Sequence, residues 1–252
     1  MIHLRFVYSI AKGFFPQLFY YIPKAEYILH HKEKYSTEEL YNLALKIVKL
    51  EKKYAKTKTD VYGLENLPKN GGYIMYSNHQ GRYDALGILC AHDFKPISVL
   101  WKKASARNLL ASQVSRLLEC EVIDLTKPAT FVSSIKNITE TVKNGKPYLI
   151  FPEGTYKNNR NNLQDFQTGC FMASIQSKTP IIPVLVYDSW KSMDIENIIS
   201  PVKTQVHFLE QIPYEEYRSF NRKQLAEIVK QKIQQRIDEI NAGKVFSPDK
   251  TV

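Results

Sequence analysis

A chain of 252 residues with 44% hydrophobic residues can bury one sizeable core, which excludes a disordered polymer and a small disulfide-stapled domain. Its net charge of +10 is spread along the chain, leaving anionic lipid, an acidic carrier and nucleic acid as partners that charge alone does not separate. Three cysteines (Cys90, Cys120, Cys170) without metal-ligand spacing and six histidines without a metal box indicate a reduced, cytosolic chain with buried thiols, no metal and no cofactor.

Leu4 to Ile22 is dense in aromatics, with Phe6, Tyr8, Phe14, Phe15, Phe19, Tyr20 and Tyr21 interrupted by Arg5, Lys12 and Pro16. Its uncharged run, Gly13 to Pro23, is 11 residues long. As a helix it spans about 16 Å, half of a hydrocarbon core, and cannot cross a bilayer. A broken apolar run without a small-residue cleavage site does not make a signal peptide either. Rings mixed with Lys and Arg suit a membrane interface; packing on the protein's own core is the alternative.

Ser36-Thr37-Glu38-Glu39 is a capping-box pattern. It opens a helix with Leu40, Leu43, Ala44, Ile47, Val48 and Leu50 at helical spacing. Lys46, Lys49 and Lys53 lie on the other side, where they could meet lipid headgroups.

Gly72 to Tyr76 reads as a short buried strand, and Asp84 to Ala91 as a helix. Between them, Ser77-Asn78-His79-Gln80-Gly81-Arg82-Tyr83-Asp84 places a histidine and an aspartate five residues apart. On one straight helix these side chains would diverge. A strand–loop–helix break lets Asp84 fold back on the His79 ring, giving a general base and the carboxylate that fixes its tautomer. The competing reading is a structural histidine at a strand end.

Strands are expected near 97–100 and 121–123, with helices near 104–118 and 131–142. Tyr148 to Phe151 is a buried strand running into the Pro152-Glu153-Gly154 turn and Thr155, where ligands gather in open α/β sheets. Phe166 to Ala173 reads as a loop entering a helix. Pro180 to Val186 is an apolar strand whose proline suits a bulge or an edge. A strand at 204–209 precedes a final helix striped by Leu225, Ile228, Val229, Ile233, Ile237 and Ile240. The pattern predicts a single α/β domain with a mixed, mostly parallel sheet flanked by helices, plus an N-terminal amphipathic helical region. The expected divisions are a membrane-interface region over 1–58, a catalytic domain over 59–242 and a flexible tail over 243–252.

In order and spacing, Asn78-His79…Asp84, Val122-Ile123-Asp124-Leu125, Phe151-Pro152-Glu153-Gly154-Thr155-Tyr156 and Ile182-Pro183-Val184 resemble the blocks of the glycerophospholipid acyltransferases. The similarity is to the bacterial 1-acyl-glycerol-3-phosphate acyltransferases in particular. The lead-in Tyr62 to Pro68 also resembles theirs, so the likeness covers roughly residues 60–212. The chain departs from the family at Leu125 and Tyr156, where arginines understood to hold the acceptor phosphate usually stand, and more mildly at Gly81 and Cys120.

The resemblance implies transfer of a fatty acyl group from acyl carrier protein or acyl-CoA to the sn-2 hydroxyl of 1-acyl-glycerol-3-phosphate, making phosphatidate in phospholipid biosynthesis. It makes His79 and Asp84 catalytic and puts Glu153, Gly154 and Thr155 on the acceptor side; a strand-closing turn is the alternative for the last three. Lys127, Lys157 and Arg160 are the nearest cations in sequence to replace the missing arginines, and Arg82, inside the histidine block, is a further candidate, against a reading as solvated surface charges. A thiol is a good leaving group, so direct transfer without an acyl-enzyme is expected. Cys170 lacks a paired histidine in sequence and is not favoured as a nucleophile. The enzyme would sit peripherally on the cytoplasmic face of the membrane, bound to its anionic surface and not to nucleic acid. Two alternatives stand: the same chemistry on another lysolipid or glycerol acceptor, and a non-catalytic membrane-binding protein.

Overall fold

The computed structural model describes residues 4–103, 109–124, 127–157, 159–193 and 200–252. Eight strands among the described residues form one sheet: β1 (Thr57–Tyr62), β2 (Ile74–Ser77), β3 (Ser98–Lys102), β4 (Glu121–Ile123), β5 (Tyr148–Ile150), β6 (Ile181–Tyr187), β7 (Val202–Phe208) and β8 (Lys250–Thr251). Their spatial order is β4-β3-β5-β2-β6-β7-β1-β8. The pairs β3/β4, β3/β5, β2/β5, β2/β6 and β1/β7 are parallel, whereas β6/β7 and β1/β8 are antiparallel. The expected single α/β domain with a mixed, mostly parallel sheet is what forms.

The central strands are apolar on both faces because helices cover both. Met75, Leu149, Ile182, Val184 and Val186 face a core shared with α3 (Thr37–Tyr54), α4 (Asp84–Ala91) and α5 (Leu109–Leu117). Their sequence neighbours Ile74, Tyr76, Tyr148, Ile150, Ile181 and Leu185 face the opposite core, closed by α6 (Pro128–Lys143), α7 (Met172–Ser177) and the C-terminal helix α8 (Arg222–Asn241). Period-two alternation therefore holds even where every residue is buried. The Ser36 capping box forms, its hydroxyl accepting from Glu39 N at 3.2 Å while Glu39 Oε2 accepts from Ser36 N at 2.8 Å.

Two expectations change. Pro183 lies in β6, a central strand, not at an edge or bulge. Its carbonyl accepts from Leu209 N, so its nitrogen faces the same side, just past the last residue of β7 at Phe208, where no ladder donor is required. The segment expected as a flexible tail instead returns to the sheet: Lys250 and Thr251 pair with Val61 and Asp60, and Lys250 Nζ reaches Asp93 Oδ1 at 2.7 Å. The helix expected at 104–118 is α5, with residues 104–108 outside the described residues.

At the N-terminus, α1 (Leu4–Pro16) continues through a π-helical turn (Gln17–Tyr21) into α2 (Ile22–His30). A stripe of Arg5, Ser9, Gly13 and Gln17, spaced by four, is buried against the protein. Arg5 Nη2 donates to Ala55 O at 2.5 Å and Nη1 to Ser200 O at 3.0 Å, while Gln17 Nε2 donates to Glu51. Burial pushes the Glu51 carboxyl up to about 7. The apolar face points outward: Phe15 is 68% and Phe19 70% exposed, alongside Leu4, Val7, Phe14 and Tyr20. This helix is polar side in and apolar side out, the reverse of an ordinary surface helix.

Candidate active site

The parallel register of β2 and β5 pairs Tyr76 with Ile150, so His79 and Glu153 each follow a paired position by three residues. Both loops therefore leave the carboxyl ends of adjacent strands, the edge of an α/β sheet where ligands bind. His79 Nδ1 lies 2.7 Å from Asp84 Oδ2. That same oxygen accepts from Gln80 N at 2.5 Å and Gly81 N at 2.9 Å, while Oδ1 accepts from Ser189 Oγ at 2.6 Å. Asp84 is wholly buried, and these four donors replace the water its charge has lost. The loop bends back because the side chain of Asp84, first residue of α4, caps the turn preceding its own helix.

A carboxylate held by N–H and O–H donors can only accept, so His79 Nδ1 carries the hydrogen and Nε2 carries the lone pair. The imidazole lies against Phe151, centroids 4.5 Å apart at 26°, and meets the Tyr156 ring edge-on at 4.8 Å and 75°. Its side chain is 20% exposed. The position at which the resembled family carries arginine is here an aromatic wall of the histidine pocket.

Glu153 is buried. Its Oε2 accepts from Gln164 Nε2 at 2.6 Å, and Oε1 has no hydrogen-bond partner among the described residues. Burial pushes this carboxyl up, against the pull of the Gln164 amide, the His79 backbone and the His79 charge. Gly154 has φ +71°, a left-handed turn that glycine adopts without strain. Thr155 is exposed and engages Gln164 through its carbonyl at 2.8 Å.

The four candidate cations fall in different places. The Arg82 guanidinium stacks over Phe6 of α1 at 4.9 Å, and that of Arg160 over Trp190 at 5.2 Å, beside the His79 loop's own hydrogen-bond partners. Lys157 is exposed in the loop after Tyr156. Lys127 is the exposed N-cap of α6, and no described contact joins it to His79. Leu125 lies outside the described residues. Burial pushes the thiols of Cys90 up to about 11 and of Cys120 and Cys170 up to about 12, leaving essentially no thiolate at neutral pH.

Sequence reasoning missed the cradle around Asp84. Gln80 Nε2 donates to Asn161 Oδ1 at 2.8 Å, Asn161 Nδ2 to Asp188 Oδ1 at 3.0 Å, and Ser189 N to Gln80 Oε1 at 3.1 Å. Gln80 is visible as a polar residue inside the histidine block, but Asn161 and Ser189 are more than eighty and one hundred positions away in sequence with no motif around them.

The acyltransferase family model matches residues 58–187, just over half of the chain. Among curated proteins, the chain is 25% identical over 166 residues to the mouse 1-acyl-sn-glycerol-3-phosphate acyltransferase alpha, covering 63% of this chain and 56% of that protein. It is 29% identical over 138 residues to the chloroplastic 1-acyl-sn-glycerol-3-phosphate acyltransferase BAT2 of Brassica napus, covering 54% and 39%. The chain thus spans about half the length of these relatives or less. For the 1-acyl-sn-glycerol-3-phosphate acyltransferase of Borreliella burgdorferi the figures are 24% over 182 residues, 71% and 72%. The fold matches the crystal structure of the 1-acyl-sn-glycerophosphate acyltransferase PlsC from Thermotoga maritima with a TM-score of 0.75 at 19% identity, over 96% of this chain and 98% of that one.

Proposed function

The chain belongs to the acyltransferase family, and we propose that it transfers a fatty acyl group from a thioester to the sn-2 hydroxyl of 1-acyl-glycerol-3-phosphate, making phosphatidate. The observation that carries this reading is the His79–Asp84 pair at 2.7 Å, with the tautomer set and Nε2 left as a base. In the proposed step Nε2 takes the acceptor hydroxyl proton as the oxygen attacks the thioester carbonyl, and Asp84 stabilises the imidazolium. The tetrahedral adduct then expels the thiolate, and the imidazolium proton is available to it. A positioned base contributes roughly 10²- to 10⁴-fold. The raised thiols support direct transfer from either acyl carrier protein or acyl-CoA; a covalent acyl adduct forming and decaying at catalytic rates would contradict it.

Glu153, Gly154 and Thr155 form the acceptor side in this proposal, and Arg82, Arg160, Lys157 and Lys127 supply cations for its phosphate. Neutralising a headgroup contact raises acceptor KM with little change in kcat. A second reading, the same chemistry on another lysolipid, is favoured by Tyr156, whose single phenolic group cannot grip a phosphate as an arginine fork does.

The N-terminal helices complete the proposal as a peripheral anchor on the cytoplasmic face. None of the described helices is long and apolar enough to cross a membrane. The outward aromatics of α1 and the π turn suit burial at the level of lipid headgroups, with neighbouring lysines for anionic lipid. The test gives the purified protein labelled acyl thioester and a panel of acceptors (glycerol-3-phosphate, lysophosphatidate and other lysolipids), with products read by mass spectrometry. Transfer to lysophosphatidate supports the first reading, and transfer to another lysolipid alone supports the second. Vesicle binding without transfer to any acceptor would replace both with a non-catalytic membrane protein.

A further inference from the structure

We infer that Ser189 is a positioning residue for the His79–Asp84 pair, extending it to a Ser189–Asp84–His79 chain whose hydroxyl proton is directed onto Asp84 by a fixed amide network. The inference builds on the proposed acyl transfer. Two backbone amides settle the orientations of the side-chain amides. Asp188 N donates to Asn161 at 2.9 Å, so the atom facing it is Oδ1, and Asn161 Nδ2 points at Asp188 Oδ1. Ser189 N donates to Gln80, so the facing atom is Oε1, and Gln80 Nε2 points at Asn161 Oδ1.

Ser189 Oγ then faces two acceptors, Gln80 Oε1 at 2.9 Å and Asp84 Oδ1 at 2.6 Å, with one hydrogen to give. The shorter, charge-assisted bond to the carboxylate takes it. Ser189 is buried, and the network ends outside on the Asp188–Lys191 ion pair at 2.7 Å. Asp188, which precedes Ser189, has φ +59°, a left-handed conformation uncommon for a residue with a side chain. That turn, directly after β6, aims the hydroxyl at Asp84. With Oδ1 occupied by Ser189, Asp84 presents Oδ2 to His79 in one rotamer, and the base keeps its direction.

The test compares the full chain with Ser189→Ala, Ser189→Thr and Ser189→Cys in the acyl-transfer assay, and follows the His79 imidazole by NMR titration in each. Ser189→Ala should lower kcat roughly 10- to 100-fold while acceptor KM holds. Ser189→Thr keeps the hydroxyl and should recover most of the rate; Ser189→Cys, a weaker donor of similar size, should fall between. Removing a donor makes the Asp84 charge less satisfied, so it should hold the imidazolium more tightly. The His79 titration, and the acid limb of kcat/KM with it, should move to higher pH in Ser189→Ala. Glu153 and Tyr156, the other titratable groups facing His79 among the described residues, are unchanged in every variant and serve as the constant background. Unchanged kcat in Ser189→Ala, or equal loss in Ala and Thr variants with the His79 titration unmoved, overturns the inference. A wild-type protein without transferase activity overturns the functional reading instead, and the NMR shift still decides the role of Ser189. Should Ser189→Ala fail to fold, the Thr-to-Cys difference in rate and titration decides it.

Discussion

The Asn78 side chain closes two hydrogen bonds on a single residue of the neighbouring strand. Its Nδ2 donates to Val186 O at 3.0 Å and its Oδ1 accepts from Val186 N at 2.8 Å. The amide thus continues the β2–β6 ladder past the end of β2 and delivers the next residue, His79, to a fixed place. Asn78→Ala should leave a buried N–H and C=O unpaired and cost roughly 2–4 kcal/mol, measured by urea unfolding, with kcat falling as well. Asn78→Asp keeps the acceptor but sets a carboxylate oxygen against Val186 O, and should be the worse of the two.

Asp84→Asn preserves size but not charge. Gln80 N and Gly81 N hold the carboxamide oxygen at the place of Oδ2, so the NH₂ turns to Ser189 Oγ, and the imidazolium formed on proton transfer loses its counter-charge. We expect kcat to fall about 10²- to 10⁴-fold with acceptor KM within a few-fold, by steady-state kinetics.

Tyr156→Arg should test why an aromatic ring stands beside His79. If the acceptor carries a phosphate near this wall, a guanidinium should lower KM for lysophosphatidate about 10-fold relative to an uncharged lysolipid. An equal effect on both acceptors would place the phosphate elsewhere.

The inward polar face of α1 makes its docking sensitive to pH. Glu51 has a folded pKa of about 7 against an ordinary value near 4.5, so the folded state holds its proton more tightly. The stability linked to that proton is full below about pH 4.5 and is lost as pH rises through about 7. Glu51→Gln should flatten this segment of the Tm-against-pH curve and stabilise the protein at pH 8 by roughly 1–3 kcal/mol.

Phe15 and Phe19 stack on each other at 6.1 Å on the outward face of the N-terminal region. The double variant Phe15→Ala/Phe19→Ala should bind anionic vesicles at least 10-fold more weakly, since each ring carries on the order of 1.5–3 kcal/mol of burial. Its Tm in detergent-free buffer should change little, because neither ring is packed on the core. Unchanged vesicle binding would reject the anchor.

Much of the fold was legible because its strands are short apolar runs ended by turn residues, as at Tyr148–Ile150 and Ile181–Tyr187. β1 was not, since Thr57-Lys58-Thr59-Asp60-Val61-Tyr62 carries two charges that point away from a buried alternate face. β8 was not, since two residues hold no pattern and pair only because β1 offers a free edge. In the site, His79, Asp84 and Glu153 lie within two short blocks that can be read locally. Ser189, Asn161 and Asp188 reach Asp84 through β6 and a distant loop, and such contacts have no period or spacing in sequence. The polar stripe Arg5, Ser9, Gly13 and Gln17 stands at helical spacing, but in a soluble helix the apolar face ordinarily packs inward, so its sequence pattern does not mark the polar side as the buried one.

The most direct test of the proposed chemistry is the acyl-transfer rate of His79→Ala beside the wild-type protein, with saturating acyl thioester and lysophosphatidate. With His79 as the base, kcat should drop roughly 10²- to 10⁴-fold while acceptor KM stays within a few-fold. A folded His79→Ala protein that transfers at the wild-type rate would contradict it.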